Sequence, residues 1–101
     1  NSEFQQFEKL IAGTGAHVYH LPTDSTVTMD SIYCRDAALA TDYGMILCNM
    51  GKAARMPEPA AEKRAFEMKN IQILGEIKSP GTLEGGDVAW IDEHTLAVGH
   101  T

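Results

Sequence analysis

The sequence contains no basic cluster, no long hydrophobic run and few cysteines. Its 8 Lys and Arg residues are scattered along 101 residues, and the formal net charge is −6. Because phosphate recognition requires clustered positive charge, a nucleic-acid partner is not expected. No apolar run approaches the roughly 18 residues of a membrane helix, and residues 1–10 lack the positive start and apolar core of a signal peptide. These absences predict a cytoplasmic protein with no membrane partner.

The two cysteines, Cys34 and Cys48, both lie in apolar segments that read as strands. Small buried thiols are common in such segments, and an apolar site keeps a thiol protonated. Neither cysteine is therefore expected to be a nucleophile. A disulfide between them is the less favoured interpretation, because nothing in the sequence indicates an oxidising compartment.

The predicted elements occur twice in the same order. Phe4, Phe7 and Leu10 recur at helical spacing, and Pro59 suits the first turn of a second helix. Each helix is followed by a strand and then by a hairpin whose turn reads TDYG or DEHT. The predicted helices and strands cover residues 3–12, 16–21, 31–40, 45–50, 60–70, 71–77, 87–91 and 95–99. A period of about 50 residues predicts two copies of one α/β unit, repeat one over about residues 3–50 and repeat two over about 58–101.

The chain is long enough for one small domain or a part of a larger one. In the second helix, Ala61, Ala65, Phe66 and Met68 are expected to pack inward. Trp90 is most simply a core residue. With 44% hydrophobic and 22% charged residues, the composition is that of a globular protein.

Acidic residues stand where a loop leads into each hairpin. Asp30 and Asp36 do so in repeat one, and Glu84 and Asp87 in repeat two, with Asp36 opposite Asp87 when the two turns are aligned. If a rotation axis relates the repeats, these carboxylates meet near the axis and form a site for a cation. A guanidinium fits best, because its planar N–H fork matches carboxylates bidentately. A metal would also fit, but imidazoles at ligand spacing are not evident, so no metal or other cofactor is expected.

Three stretches occur in an order and approximate spacing that resemble the guanidino-group-modifying superfamily: the Arg-Asp pair at 35–36, MGKAAR at 50–55 and TLEGGDV at 82–88. This superfamily includes arginine deiminases, dimethylarginine dimethylaminohydrolases and amidinotransferases. The resemblance covers residues from about 15 to the end. It implies a pentein-type α/β propeller of five units, of which this chain supplies about two as one partial domain.

The resemblance also implies roles for single residues. Asp36 matches the aspartate that grips the substrate guanidinium, and Glu84 matches the acid that holds it and orients the catalytic histidine. Arg55 matches an arginine that contacts the substrate carboxylate in the dimethylarginine hydrolases, and Asp30 matches an acid at the pocket mouth. Arg35 departs from the glutamate of some dimethylarginine hydrolases and is closer to the deiminase pattern.

Several residues of these stretches have structural interpretations beside the functional ones. Gly85 and Gly86 let the backbone turn closely so that Glu84 can face the axis. Asp87 is expected to tie down this turn through backbone N–H groups. Without the resemblance, Asp36 and Glu84 would be ordinary strand-edge or loop acids, and Arg55 an exposed loop residue.

The histidines offer no ligand set or catalytic base. His17 and His20 form an H-x-x-H pair, but on a strand that spacing directs the two side chains to opposite faces. His94 lies in a predicted turn and His100 near the end of the sequence. None of the four matches the catalytic histidine of the superfamily.

The implied reaction is hydrolysis of a C–N bond in arginine or a methylarginine through a covalent cysteine intermediate, amidino transfer being less favoured. The catalytic histidine and cysteine of the superfamily lie beyond the equivalent of residue 101, so this chain alone is predicted to be inactive. It is either a fragment of a full enzyme or a short relative that completes itself by association. The alternative function is a non-catalytic module that self-associates, as at least a homodimer, and binds a cationic small ligand.

Overall fold

A computed structural model describes residues 2–99, apart from the side chain of Asp30. Two helices and five strands form a small α/β domain, as predicted at the level of fold class. They are α1 (Ser2–Ala12), β1 (Ala38–Thr41), β2 (Gly44–Leu47), α2 (Glu58–Met68), β3 (Ile73–Glu76), β4 (Val88–Asp92) and β5 (Thr95–Val98). Short 3-10 turns cover Met29–Ile32, Cys34–Asp36, Ala53–Arg55 and Gly85–Asp87.

The strands lie in two sheets. β1, β2 and β3 form one sheet in that order, with β1 antiparallel and β3 parallel to β2. β4 and β5 form a separate antiparallel pair. Both hairpins and their two-residue loops lie where the repeat predicted them, because the alternating apolar runs flank turn-forming residues. No closed propeller is formed by residues 2–99.

All three predicted strands of repeat one differ from the structure, and the one predicted over 45–50 ends at Leu47. Residues 16–21 have no strand structure, and Met29–Ile32 and Cys34–Asp36 form 3-10 turns, so that only Ala38–Thr41 of the predicted strand 31–40 pairs. The equivalent of residues 16–21 in repeat two is β3, which pairs with the preceding hairpin through β2. Residues 16–21 have no preceding hairpin within residues 2–99, so no backbone ladder is there to form.

The core is small and lies at the ends of β1 and β2. Ala37, Cys48 and Met50 are buried together, and Leu83 packs against them. An antiparallel bridge between Asn49 and Leu83 joins the loop before the second hairpin to the end of the first. The core therefore lies where the two repeats meet.

The two helices differ in what they bury. α2 buries Glu58, Pro59, Glu62 and Ala65, whereas Met68 is exposed. The expected face of Ala61, Ala65, Phe66 and Met68 is thus correct only in part, because two carboxylates take inward positions. None of the residues of α1 is buried.

A bulge changes the alignment of the two hairpins. Cys48 N donates to Ala37 O in the first hairpin, and Gly99 N donates to Asp87 O in the second. Each of these bonds lies one residue outside a pair of the ladder, which is Ala38 with Leu47 in the first hairpin and Val88 with Val98 in the second. β4 contains one extra residue between Trp90 and Asp92, so Asp87 corresponds in the ladder to Ala37 rather than to Asp36.

Trp90 links the two sheets. Its Nε1–H donates to Ala40 O at 2.9 Å, so the indole spans from the second hairpin to the first. Trp90 is 46% exposed, and the expectation of a core tryptophan is wrong. Within residues 2–99, no helix is long and apolar enough to cross a membrane.

Candidate acidic site between the repeats

The turns that precede the two hairpins, Cys34–Asp36 and Gly85–Asp87, pack against each other. A Cβ on Gly85 would overlap the carbonyl oxygen of Arg35, and a Cβ on Gly86 would crowd Asp36 Oδ1. Only glycine allows this approach of two backbones. The glycine pair is therefore explained by contact between the repeats, which brings Glu84 close to Asp36.

Arg55 lies at the centre of the site and joins the acids of both repeats. Its Nη1 is 3.0 Å from Asp36 Oδ2 and 3.5 Å from Glu84 Oε1. Its Nε and Nη2 each donate to a different oxygen of Glu58 at 2.8 Å. Its Nη2 also donates to the carbonyl of Tyr33 at 3.3 Å. The sequence predicts a carboxylate site for a guanidinium, and in the structure the guanidinium of Arg55, a residue of the chain itself, occupies such a site.

The sequence interpretation missed Glu58. Its side chain is 2% exposed and forms a bidentate pair with Arg55, whose side chain is 8% exposed. The hydrogen bonds that Arg55 donates to Glu58, followed by the one that it donates to Asp36, raise the pKa of Arg55 above its usual range. The signal was an Arg-x-x-Glu spacing across the start of a helix, where an acid also interacts favourably with the helix dipole.

Glu62 lies one turn beyond Glu58 on the same face of α2. It is 6% exposed. Burial, together with the charges of Glu58 and Asp36, raises the pKa of Glu62 to about 7, while Arg55 opposes this shift. The acidic cluster, defined as Asp36, Glu58, Glu62 and Glu84, therefore contains more carboxylates than the one guanidinium can neutralise.

The cluster has a buried side and a solvent side. Glu58 and Arg55 are buried, whereas the side chains of Asp36 and Glu84 are 24% and 37% exposed. Because each carboxylate has more than one acceptor position, Asp36 and Glu84 can take donors from solvent while bound to Arg55. The arrangement can therefore bind a second cation at its surface.

The other predicted site residues are less central. The backbone of Asp30 lies in the turn Met29–Ile32, and its side chain lies outside the described part of the structure. Asp87 is exposed, and the contacts that hold it are backbone ones, from its N–H to Glu84 O and from Gly99 N to its carbonyl. The predicted role of Arg55 towards a substrate carboxylate stays a prediction, since its donors are engaged by acids of the chain.

The two cysteines are both free and differ in environment. Cys48 is buried, as expected, and burial with the charges of Glu62, Asp36 and Glu84 raises the pKa of its thiol to about 11. Cys34 is exposed on the turn that ends in Asp36. The expectation of a buried Cys34 is wrong, because residues 34–36 form a surface turn and not a strand.

The three histidines in the described part of the chain have different contacts. His20 Nε2 is 2.9 Å from Glu8 Oε1 on α1, and His17 stacks on Tyr19 with ring centroids 6.4 Å apart. His94 lies in the β4–β5 loop, as predicted, where its N–H donates to Asp92 Oδ1. His100 lies outside the described residues. Among residues 2–99, no group of three or more His, Cys, Asp or Glu side chains is placed to hold a metal ion.

Residues 17–22 lie over a cavity of about 640 Å³ whose other walls come from α2 and the two hairpins. Phe66 and Ala65 line it from α2, and Glu62 reaches it from the acidic cluster. The segment is held by exposed contacts, among them Lys69 Nζ at 4.5 Å from the ring centre of Tyr19. Residues 17–22 are therefore not packed into the core.

Neither a scan against protein-family models nor a search of curated proteins gives a match for this chain. The resemblance to the guanidino-modifying superfamily therefore stays a prediction from the sequence motifs.

Proposed function

We propose that the acidic cluster is the cation-binding half of a site for a guanidino compound of the arginine or methylarginine type. The observation that carries the proposal is the convergence of Asp36 and Glu84, 48 positions apart in the sequence, on one guanidinium group. Asp36 accepts from Arg55 Nη1, Glu84 lies within ion-pair distance of the same nitrogen, and both carboxylates keep a face towards solvent. Charge-assisted bonds of this kind are selective for planar donors.

The buried pair of Arg55 and Glu58 acts as the support of this site. A bidentate pair with little exposure fixes the orientation of the guanidinium. The fixed Nη1 in turn orients the two partly exposed carboxylates. A ligand guanidinium then meets preoriented acceptors, which lowers the ordering cost of binding.

By resemblance, the complete enzyme uses a cysteine thiolate to attack the guanidinium carbon, and a histidine protonates the departing amine. Water activated by the same histidine then cleaves the amidino-thioether and restores the thiol. Within this chain, Cys48 is unsuited to the attack because its thiol is buried and has a raised pKa. The role of the chain is to bind and orient the substrate, and residues 1–101 alone are expected to release no product.

The binding experiment compares two cations of equal charge by NMR titration of the chain: methylguanidinium, which has a planar set of N–H donors, and methylammonium, which has not. Methylguanidinium should shift amide signals of residues 34–37 and 84–87, and methylammonium should bind at least about fivefold more weakly. Glu84→Gln should weaken methylguanidinium binding about tenfold, as loss of one charge-assisted hydrogen bond implies.

Glu93→Gln is the matched control, because Glu93 is an exposed acid in the β4–β5 loop. It should leave the affinity unchanged. Equal affinities for the two cations, or equal losses in the two variants, would contradict the proposal. Citrulline release from arginine by the purified chain, abolished by Cys34→Ser, would contradict the placement of the nucleophile outside it.

A second candidate function is a non-catalytic module that self-associates. One observation favours it: α1 buries none of its residues, and its apolar side chains Phe7, Leu10 and Ile11 are exposed. An exposed apolar face of this kind is typical of a surface that binds another protein. The two functions are compatible, since association and cation binding use different surfaces.

A further inference from the structure

The first hairpin shows how a following helix and strand cover it. Met45 N donates to Gln72 O and Ile77 N donates to Leu47 O, both at 2.8 Å, so that β3 adds to β2 in parallel. α2, which precedes β3, contacts the same two strands. β3 thereby pairs with the β2 edge of this hairpin, and the residues of β2 are buried or partly buried.

The second hairpin has the same backbone pattern and an open edge. The bond from Gly99 N to Asp87 O matches that from Cys48 N to Ala37 O, so Leu96 and Val98 stand where Met45 and Leu47 stand in β2. Hydrogen-bonded and non-hydrogen-bonded pairs alternate in an antiparallel ladder, so the backbone groups of Leu96 and Val98 point away from β4. Within residues 2–99, only β4 pairs with β5.

Within residues 2–99, repeat one has the helix and the segment that would cover a hairpin, but no hairpin precedes them. α2 ends at Met68 and β3 begins five residues later, at Ile73. α1 ends at Ala12, and five residues later the chain reaches His17. Residues 17–20 are thus the counterpart of β3, yet they have no strand partner and lie over the large cavity.

We propose that residues 17–20 of one copy of this chain add as a parallel strand to β5 of a second copy, with α1 packing on the second hairpin as α2 packs on the first. The register follows from β2 and β3, in which Met45 pairs with Ile73 and Leu47 with Glu76. It places His17 beside Leu96 and His20 beside Val98 of the other copy. The inference does not depend on the guanidino-binding function.

The proposal accounts together for the missing strand, the uncovered α1 and the open edge of β5. Neither residues 17–20 nor Leu96 to Val98 carry Asp, Glu, Lys or Arg, so no like charges oppose the pairing. The interface is head-to-tail, and each added copy presents a new open β5. Such contacts produce rings where the rotation closes and filaments where it does not.

The first test is light scattering of the full chain over a dilution series. The mass should rise with concentration beyond that of one chain. Val98→Lys places a charge on the open edge and should weaken association by about tenfold or more. Ile91→Lys, which places the same charge at the exposed bulge of the same hairpin, should change it less than about twofold.

The second test measures the register by disulfide formation in trans between two variants, both also carrying Cys34→Ser. His17→Cys mixed with Leu96→Cys should cross-link, because paired Cα atoms lie within disulfide reach. Val18→Cys mixed with Leu96→Cys should not, because neighbouring side chains on a strand point to opposite faces. Cross-linking at the same rate in both mixtures, or a monomer at millimolar concentration, would overturn the proposal.

Discussion

The hairpins β1–β2 and β4–β5 have loops of the same two-residue length and, apart from the bulge in β4, matching ladders, but their surroundings are opposite. Leu47 at the end of β2 is 2% exposed, whereas Val98, its counterpart in β5, is 55% exposed. β3 and α2 cover the first hairpin, and no second helix and strand within residues 2–99 cover the other. The difference shows that hairpin formation follows local sequence, whereas burial follows from the unit that comes next in the chain.

The largest expected effect concerns Glu58, which forms the buried ion pair with Arg55 at the start of α2. Glu58→Gln replaces the bidentate anionic partner of the buried Arg55 guanidinium by a neutral one and should lower the free energy of unfolding by about 3–5 kcal/mol. Urea denaturation followed by circular dichroism measures this quantity. Glu93→Gln, in the loop of the uncovered hairpin, should change it by less than about 0.5 kcal/mol. Similar losses in both variants would mean that the buried pair does not stabilise the fold.

The second prediction compares equivalent positions directly. Leu47→Ala removes a buried side chain from β2 and should cost about 2–4 kcal/mol of unfolding free energy, since a cavity remains. Val98→Ala should cost less than about 1 kcal/mol, measured at a concentration where the chain is monomeric, because that side chain is half exposed. If the two changes cost the same, β5 is covered in solution.

The third prediction concerns pH and depends on Glu62. Its folded pKa of about 7 is above its ordinary value of 4.5, so the native state binds a proton more strongly than the unfolded chain does. The stability associated with the protonated carboxyl is present below about pH 4.5 and is lost as the pH rises through about 7. The full difference corresponds to about 3 kcal/mol.

Urea denaturation at several pH values, with Glu62→Gln as the reference, isolates this carboxyl from the other titrating groups. The variant should lack the decline in stability between pH 4.5 and 7 that the unchanged chain shows. Parallel pH profiles for the two proteins would mean that Glu62 titrates normally in the fold.

The smallest expected effect is at the contact between the hairpins. Trp90→Phe removes the donor to Ala40 O and should cost about 1 kcal/mol, the usual contribution of one hydrogen bond. Calorimetry of the monomeric chain can resolve the change. A loss above about 3 kcal/mol would show that the indole packs more extensively than its exposure indicates.

The sequence predicts the elements whose signals are local. The turns TDYG and DEHT place both hairpins, and Pro59 lies in the first turn of α2 as expected. Residues 16–21 could not be interpreted correctly from propensity alone, because a strand forms only where a neighbouring edge accepts it. The bulge in β4 is likewise invisible in a count of residues ahead of the turn.

The candidate site was predictable in its acids but not in its central group. Repetition of acids ahead of each hairpin pointed to Asp36 and Glu84, which the structure brings onto the same guanidinium. The sequence does not reveal that this guanidinium belongs to Arg55, because the position of Arg55 depends on how residues 50–58 fold over the junction of the repeats. Glu58 and Glu62 were missed because carboxylates at inward positions of an amphipathic helix look like solvent-facing residues until their partner is placed.

The different environments of the two cysteines give the protein a natural labelling position. A thiol reagent at neutral pH reaches Cys34 on the surface, while Cys48 is shielded and stays protonated. A fluorine or spin label would therefore attach on the turn that carries Asp36, with no substitution needed. From there its signal would respond to cations arriving at the junction of the repeats, so that occupancy could be followed in the unaltered sequence.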